Sequence, residues 1–167
     1  TTNVAVNLHQ VITPASGQVV NLGAVSISGN VSKVLTLNAG TYVMSSLSTT
    51  GNASIQIGTG PVTIYVTGNI DVKGNGIVNS SALPPNLRMI ATNPASSVSM
   101  AGNGNFYGVI QAPNNMVTLG GNGEFFGALV ADNFSFNGSN SIVHYDDAVG
   151  RAFASMATQV RPADWRA

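Results

Sequence analysis

A five-residue pattern, apolar-x-apolar-x-Gly and usually followed by Asn, recurs six times along the chain, with Thr49 in place of the second apolar residue in one copy. Its copies start at Val25, Leu47, Ile70, Val98, Val117 and Phe134, and successive starts are 17 to 28 residues apart. Repeats of about this length indicate stacked copies of one supersecondary unit, none of which can bury its apolar side alone. The pattern therefore predicts a solenoid.

Alternation within each repeat places the first and third side chains on one side of a strand and the second on the other. The glycine at the fifth position permits a tight corner. A second apolar position follows the corner at Ile55, Ile77, Phe106, Phe125 and Ile142. We expect the corner to join two strands that contribute to the same core.

The remaining segments are short, β-rich and separated by Gly, Asn, Ser and Pro turns, and helical periodicity is absent before the C-terminus. The uneven repeat spacing argues against a hexapeptide solenoid. We predict an all-β fold, a right-handed parallel β-helix, with one long loop from Asn79 to Ser97 in the widest interval. The coils are expected to occupy residues 1–145.

The character of the sequence changes at Asp146, where a short helix is predicted. Asp146 or Asp147 can cap its N-terminus, and apolar residues then follow at helical spacing: Ala148, Val149, Ala152, Phe153 and Met156. Residues 146–167 are predicted to form a capping helix and tail that belong to the same domain. This helix is expected to cover the open end of the stack, which otherwise presents unpaired strand edges.

The composition limits the possible partners. Apolar residues make up 44% of the 167 residues, which is enough for a continuous core, while only 7% are charged against about 25% in an average domain. Lys+Arg and Asp+Glu number 6 each, so the net charge is zero. We therefore expect no nucleic-acid partner, and little electrostatic opposition to self-association.

The chain contains no cysteine, and no apolar run approaches the length of about 18 residues that a membrane span requires. We therefore expect neither a disulfide nor a span within this sequence. Because it begins at Thr1 without Met or a signal peptide, we expect it to be a piece of a longer precursor.

The second positions of the repeats form an almost pure hydroxyl column: Ser26, Ser48, Asp71, Ser99, Thr118 and Ser135. Solvation of an exposed β face by small residues accounts for such a column. The alternative is a ligand face that hydrogen-bonds a polysaccharide or orders water. Sugar binding usually adds exposed aromatic rings, for which Tyr42 and Tyr65, together with Tyr107, are the candidates.

Catalysis is not expected from the ionisable residues. Glycoside hydrolysis needs two carboxylates about 5 to 9.5 Å apart across one groove, whereas Asp71 and Glu124 fall at different repeat positions. His144 precedes Asp146 and Asp147 closely enough to raise the alternative of a metal site, but one short segment without a second His is a weak signal. We expect His144 to close the last coil, and we expect no cofactor and no metal.

Several segments resemble a known family: Gly40–Val43, Gly60–Asn69, Phe106–Pro113, Gly121–Gly127 and His144–Asp146. They are similar to a bacterial β-helical domain family of cell-surface proteins associated with type IV pilus-like systems, often located behind an N-terminal pilin-like helix. The resemblance covers roughly residues 35 to 147. It implies a β-helical fold and an extracytoplasmic setting, and it supplies no catalytic residues.

Together, these features predict a non-catalytic structural or adhesive module at the bacterial cell surface, associated with a pilus or assembling into filaments. Its partners would be further copies of itself or other surface and pilus proteins. The alternative is a carbohydrate-binding surface module, and a polysaccharide lyase or hydrolase comes third.

Overall fold

The computed structural model describes residues 9–31, 33–138 and 142–151, together with the backbone of residues 2–3. The strands in this part of the chain are β1 (Thr2–Asn3), β2 (Gln10–Ile12), β3 (Val19–Gly29), β4 (Val34–Leu37), β5 (Gly40–Gly51), β6 (Ser54–Ile57), β7 (Val62–Val66), β8 (Ile70–Gly74), β9 (Ile77–Asn79), β10 (Leu87–Ala91), β11 (Val98–Gly102), β12 (Phe106–Leu119), β13 (Phe125–Phe136) and β14 (Val143–Tyr145). A 3-10 turn spans Pro84–Asn86, and helix α1 begins at residue 147.

The strands form three parallel ladders, which each coil of the chain visits in the same order. Ladder A contains β2, β4, β6 and β9, and then the first residues of β12, β13 and β14. Ladder B contains β1 and then residues 19–21, 41–44, β7, β10, 109–112 and 128–131. Ladder C contains residues 25–29, 47–51, β8, β11, 117–119 and 134–136. The result is a β-solenoid of about six turns with a short C-terminal helix, which confirms the predicted parallel β-helix.

The predicted repeats stack in register in ladder C. The first residues of successive repeats are Cα partners in the order Val25, Leu47, Ile70, Val98, Val117 and Phe134. The coils are therefore aligned by backbone pairing and not by constant spacing along the sequence. The number of residues between successive repeats varies, and the additional residues lie outside this ladder.

The repeat glycines form the corner between ladder C and the next strand of ladder A. The amide of Asn52 donates to the carbonyl of Gly29 at 2.8 Å, and the amide of Asn75 donates to the carbonyl of Gly51 at 3.1 Å. Gly74 has a φ of +67°, in the left-handed region that side chains disfavour. The corners therefore stack backbone on backbone, with no room between them for side chains.

Inward-facing side chains from all three ladders form one continuous apolar cluster that extends from Ile12 to Phe125. Leu35, Ile64 and Ile70, one from each ladder, are fully buried. Because every coil adds apolar residues to the same interior, burial of this core is the main stabilising contribution to a fold that contains no disulfide.

The prediction of one long loop from Asn79 to Ser97 is wrong. β10 lies within that range and pairs with β7 on one side and with β12 on the other, and Leu87 and Met89 are fully buried. The additional residues form two shorter connections on either side of β10. The proline-rich part, residues 80–86, is an insertion between ladders A and B.

The predicted alignment of the last coil is displaced by one residue. Phe125 pairs with Val143, not with Ile142, and Phe126 pairs with His144. Five residues lead from Gly138 to Val143, one more than from Gly121 to Phe125. Since side chains alternate along a strand, each residue of β14 points to the side opposite to the one that the predicted alignment gives it.

Asp146 is confirmed as the N-cap of α1, because its Oδ1 accepts a hydrogen bond from the amide of Ala148 at 2.8 Å. Val149 is buried. The rest of the predicted apolar stripe, Ala152, Phe153 and Met156, lies outside the described residues, so the covering of the open end and the domain division at residue 145 stay predictions. Among the described residues, no helix has the length and hydropathy needed to cross a bilayer.

Candidate functional site

The hydroxyl column predicted from the repeats lies on the outer side of ladder C. Its Cα partners run in the order Ser26, Ser48, Asp71, Ser99, Thr118 and Ser135. All are half-buried except Ser26, which is exposed. The carboxylate of Asp71 accepts a hydrogen bond from Lys73 Nζ at 2.8 Å, so the column is close to neutral. We call this surface the hydroxyl face, and ligand binding to it stays a prediction.

Tyr42 does not belong to any surface. Its side chain is fully buried on the inner side of ladder B, between Val20 and Ile64 in the pairing register. Its hydroxyl lies 2.7 Å from the carbonyl of Asn38 and 2.9 Å from that of Ile12, so its proton is donated within the protein. The proposal of Tyr42 as a ligand-stacking residue is therefore wrong, because strand alternation directs it inward.

Tyr65 is half-buried on the outer side of ladder B, where its Cα partners are Val43 and Ile90. The hydroxyl face belongs to ladder C. The structure therefore does not bring Tyr65 into the column of Ser and Thr residues, and the predicted ligand face contains the five hydroxyls without either tyrosine.

Burial raises the pKa of Tyr42 from 10.0 to about 12. In alkali, the unfolded chain therefore releases this proton before the folded protein does. The contribution of Tyr42 to stability is complete below about pH 10 and is lost as the pH rises toward 12. Two pKa units correspond to about 2 to 3 kcal/mol in the free energy of unfolding.

We expect the Tyr42→Phe variant to have a flatter dependence of stability on pH between about pH 10 and 12 than the wild type. Urea unfolding across this range, followed by circular dichroism, measures the difference. Tyr65→Phe is the control, because it removes the hydroxyl group of a half-buried tyrosine on the outer surface. An alkaline loss of stability equal in wild type and Tyr42→Phe would contradict the prediction.

Three aromatic rings stack on the outer side of ladder A, in β12, β13 and β14. The ring centroids of Tyr107 and Phe126 are 4.8 Å apart at an interplanar angle of 14°, and those of Phe126 and His144 are 4.4 Å apart at 8°. On the inner side, Phe106 and Phe125 stack at 5.0 Å. We call the outer three rings the aromatic ladder. The sequence aligns Tyr107 with Phe126, but the expected pairing of Phe125 with Ile142 leaves His144 out of this stack.

A groove of about 410 Å³ runs beside the aromatic ladder, and we call it the aromatic groove. It is lined by Ala82, Pro84, Tyr107, Phe126, His144, Tyr145, Asp146 and Asp147. The insertion of residues 80–86 supplies one side, and the passage from β14 into α1 supplies the other. A second, partly open pocket among Met100, Phe106 and Phe125 has a volume of only about 40 Å³, which is room for water and not for a larger ligand.

The side of the groove formed by the insertion is fixed by hydrogen bonds. The buried side chain of Asn79 donates from Nδ2 to the carbonyl of Leu83 at 2.9 Å and to the carbonyl of Tyr107 at 3.0 Å. Ser81 Oγ donates to Asn79 Oδ1 at 2.7 Å, and Asn86 Nδ2 donates to Ser81 Oγ at 2.9 Å. These bonds replace the backbone pairing that is absent between β9 and β12, and they tie the insertion to the aromatic ladder.

Two ionisable residues that line the groove, His144 and Asp146, have protein partners. His144 Nε2 and Glu124 Oε2 are 3.0 Å apart, and Asp146 caps α1. Within the part of the chain that the structure describes, no three His, Asp or Glu side chains lie together as a metal site requires. The arrangement brings aromatic rings and two carboxylates, Asp146 and Asp147, to one open groove.

Apolar side chains are exposed at the end of the stack. Phe134 and Phe136 continue the inward column of Val117 and Leu119, yet their exposed fractions are 55% and 48%. Their rings meet edge to face at 5.9 Å. Among the described residues, positions 134–136 are paired on one side only, with β12. We call Phe134 and Phe136 the end patch.

The ladders and corners define a β-solenoid. The chain belongs to the family described as a domain of unknown function (DUF7305), whose match covers residues 43–152, from within β5 into α1. No curated protein and no solved structure matches the chain.

Proposed function

We propose that the protein is a non-catalytic structural module of the bacterial cell surface that associates end to end through its last coil. The observation that carries this proposal is the end patch, where two phenylalanines occupy a core column and no further coil among the described residues pairs with them. Association with a pilus-like system is part of the same proposal, and it is supported by the resemblance of the sequence to pilus-associated β-helical domains.

The architecture supports a role in assembly. All coils run parallel, so the two ends of the stack differ, and contact between unlike ends propagates into filaments unless a rotation closes it into a ring. An open strand edge can pair with another chain by strand addition. Formal charges that number 6 of each sign present little electrostatic opposition to such contact.

We expect the purified chain to form concentration-dependent assemblies, measured by sedimentation velocity and by electron microscopy. Burying one Phe side chain contributes about 1.5 to 3 kcal/mol, so the double variant Phe134→Ser, Phe136→Ser should weaken association at least tenfold. Met116→Ser is the control, because Met116 is similarly exposed but lies on the outer side of ladder C.

Dispersed monomers at every concentration, or assemblies unchanged in the double variant, would contradict end-to-end association. The surface location has its own test, protease treatment of intact cells of the native bacterium. Complete protection of the protein in intact cells, with digestion only after lysis, would refute that part of the proposal.

A further inference from the structure

The outer column of ladder A changes its chemistry where the groove begins. In the earlier coils this column holds two aliphatic and two polar side chains in register: Val11, Thr36, Gln56 and Val78. In the last coils it holds the three stacked rings of the aromatic ladder. Packing of the core does not require these rings, since the inner side is already filled by Phe106 and Phe125. A groove of about 410 Å³ beside them lies within the range of about 300 to 1,000 Å³ typical of ligand sites.

The stacking geometry decides which part of the rings a ligand meets. Tyr107 and His144 cover the two faces of Phe126, so the middle ring presents only its edge to the groove. The edge of an aromatic ring carries positive partial charge and its face negative. The edge of Phe126 therefore attracts oxygen atoms of a ligand, and this ring does not offer a cation the face that it would need.

The carboxylates add a second selection. Asp146 and Asp147 are acceptors, and the described residues that line the groove include neither Lys nor Arg. Phosphates, sulfates and uronic acids would therefore meet the negative charge of two carboxylates without a compensating Lys or Arg from this part of the chain. Hydroxyl groups satisfy both requirements, because their oxygen approaches the ring edges while their proton is donated to a carboxylate.

We propose that the aromatic groove binds a neutral glycan chain. Ring edges of the aromatic ladder, together with Tyr145 and Pro84, contact the sugar rings, and Asp146 and Asp147 accept hydrogen bonds from their hydroxyl groups. This binding does not depend on end-to-end association, so it is measurable on dilute monomer.

The test is an NMR titration of the isotope-labelled full chain with hexasaccharides of different charge. Cellohexaose and chitohexaose are the neutral probes, the chitosan hexamer is the cationic counterpart of chitohexaose, and hexagalacturonate is the anionic probe. We expect at least one neutral probe to bind saturably with a Kd below about 1 mM and to shift the signals of Phe126, His144 and Tyr145.

Two variants locate the binding. Phe126→Leu removes the middle ring while retaining apolar volume, and Tyr145→Ala changes a residue that is 66% exposed and so does not challenge folding. Each should weaken neutral-glycan binding at least tenfold. Tyr65→Leu, an outward aromatic of ladder B, should leave it unchanged. The proposal would be overturned if no neutral probe bound saturably or if a charged probe bound more tightly. It would also be overturned if the signal shifts were confined to the hydroxyl face or if Tyr145→Ala bound the neutral probe as tightly as the wild type.

Discussion

Replacement of Gly74 by alanine is expected to lower the free energy of unfolding by about 3 kcal/mol or more, the sum of backbone strain and steric overlap. A Cβ at this position would overlap the carbonyl oxygen of Gly51 in the coil before, and that carbonyl accepts a hydrogen bond from the amide of Asn75. The φ of +67° adds the strain of a left-handed side chain. Relief would require two stacked coils to separate.

Gly104→Ala is the matched control for this substitution. It lies in the neighbouring corner segment, its added Cβ would meet no atom within 4 Å, and its φ is not positive. Its expected effect is within about 0.5 kcal/mol. Chemical denaturation of the two variants beside the wild type measures the difference. Equal stabilities of Gly74→Ala and Gly104→Ala would show that close contact between corners does not limit the packing of the coils.

Leu87→Ala is expected to lower the free energy of unfolding by about 2 to 5 kcal/mol, the range for removal of a large buried side chain. Leu87 is fully buried in the central strand β10, and its removal leaves a cavity between β7 and β12.

Leu83→Ala provides the comparison, since Leu83 is 56% exposed in the insertion just four residues earlier. Its side chain contributes little burial, so we expect a loss within about 0.5 kcal/mol. Thermal and urea unfolding of both variants separate the two outcomes. If both substitutions cost the same, β10 would not be the core strand that its pairing indicates.

The repeat alone was sufficient to predict the solenoid. Its glycines, together with alternation, determined which side chains face inward, and the pairing of Val25 with Leu47 and of Ser26 with Ser48 follows directly. A local pattern that is repeated in successive coils strongly constrains the fold, because each copy must form the same corner and join the same ladder.

The sequence could not predict features that depend on an exact count of residues between ladders. One extra residue before Val143 reversed β14 and hid the stacking of His144 on Phe126. The prolines on either side of Leu87 favour a loop by their sequence, although the strand between them pairs with β7 in ladder B. Tyr42 is a candidate for the ligand face from sequence alone, because no local signal shows the pairing with Val20 and Ile64 that places it inside.

The insertion of residues 80–86 shows how a molecule of this kind acquires new properties. It lengthens one connection between ladders, yet the repeats on either side, at Ile70 and Val98, remain direct neighbours in ladder C. Variation is thus tolerated in the connections while the coils themselves stay constant, much as antibody loops vary on a fixed framework. Exchanging this segment for other sequences of similar length offers a route to engineer different recognition surfaces on one unchanged scaffold.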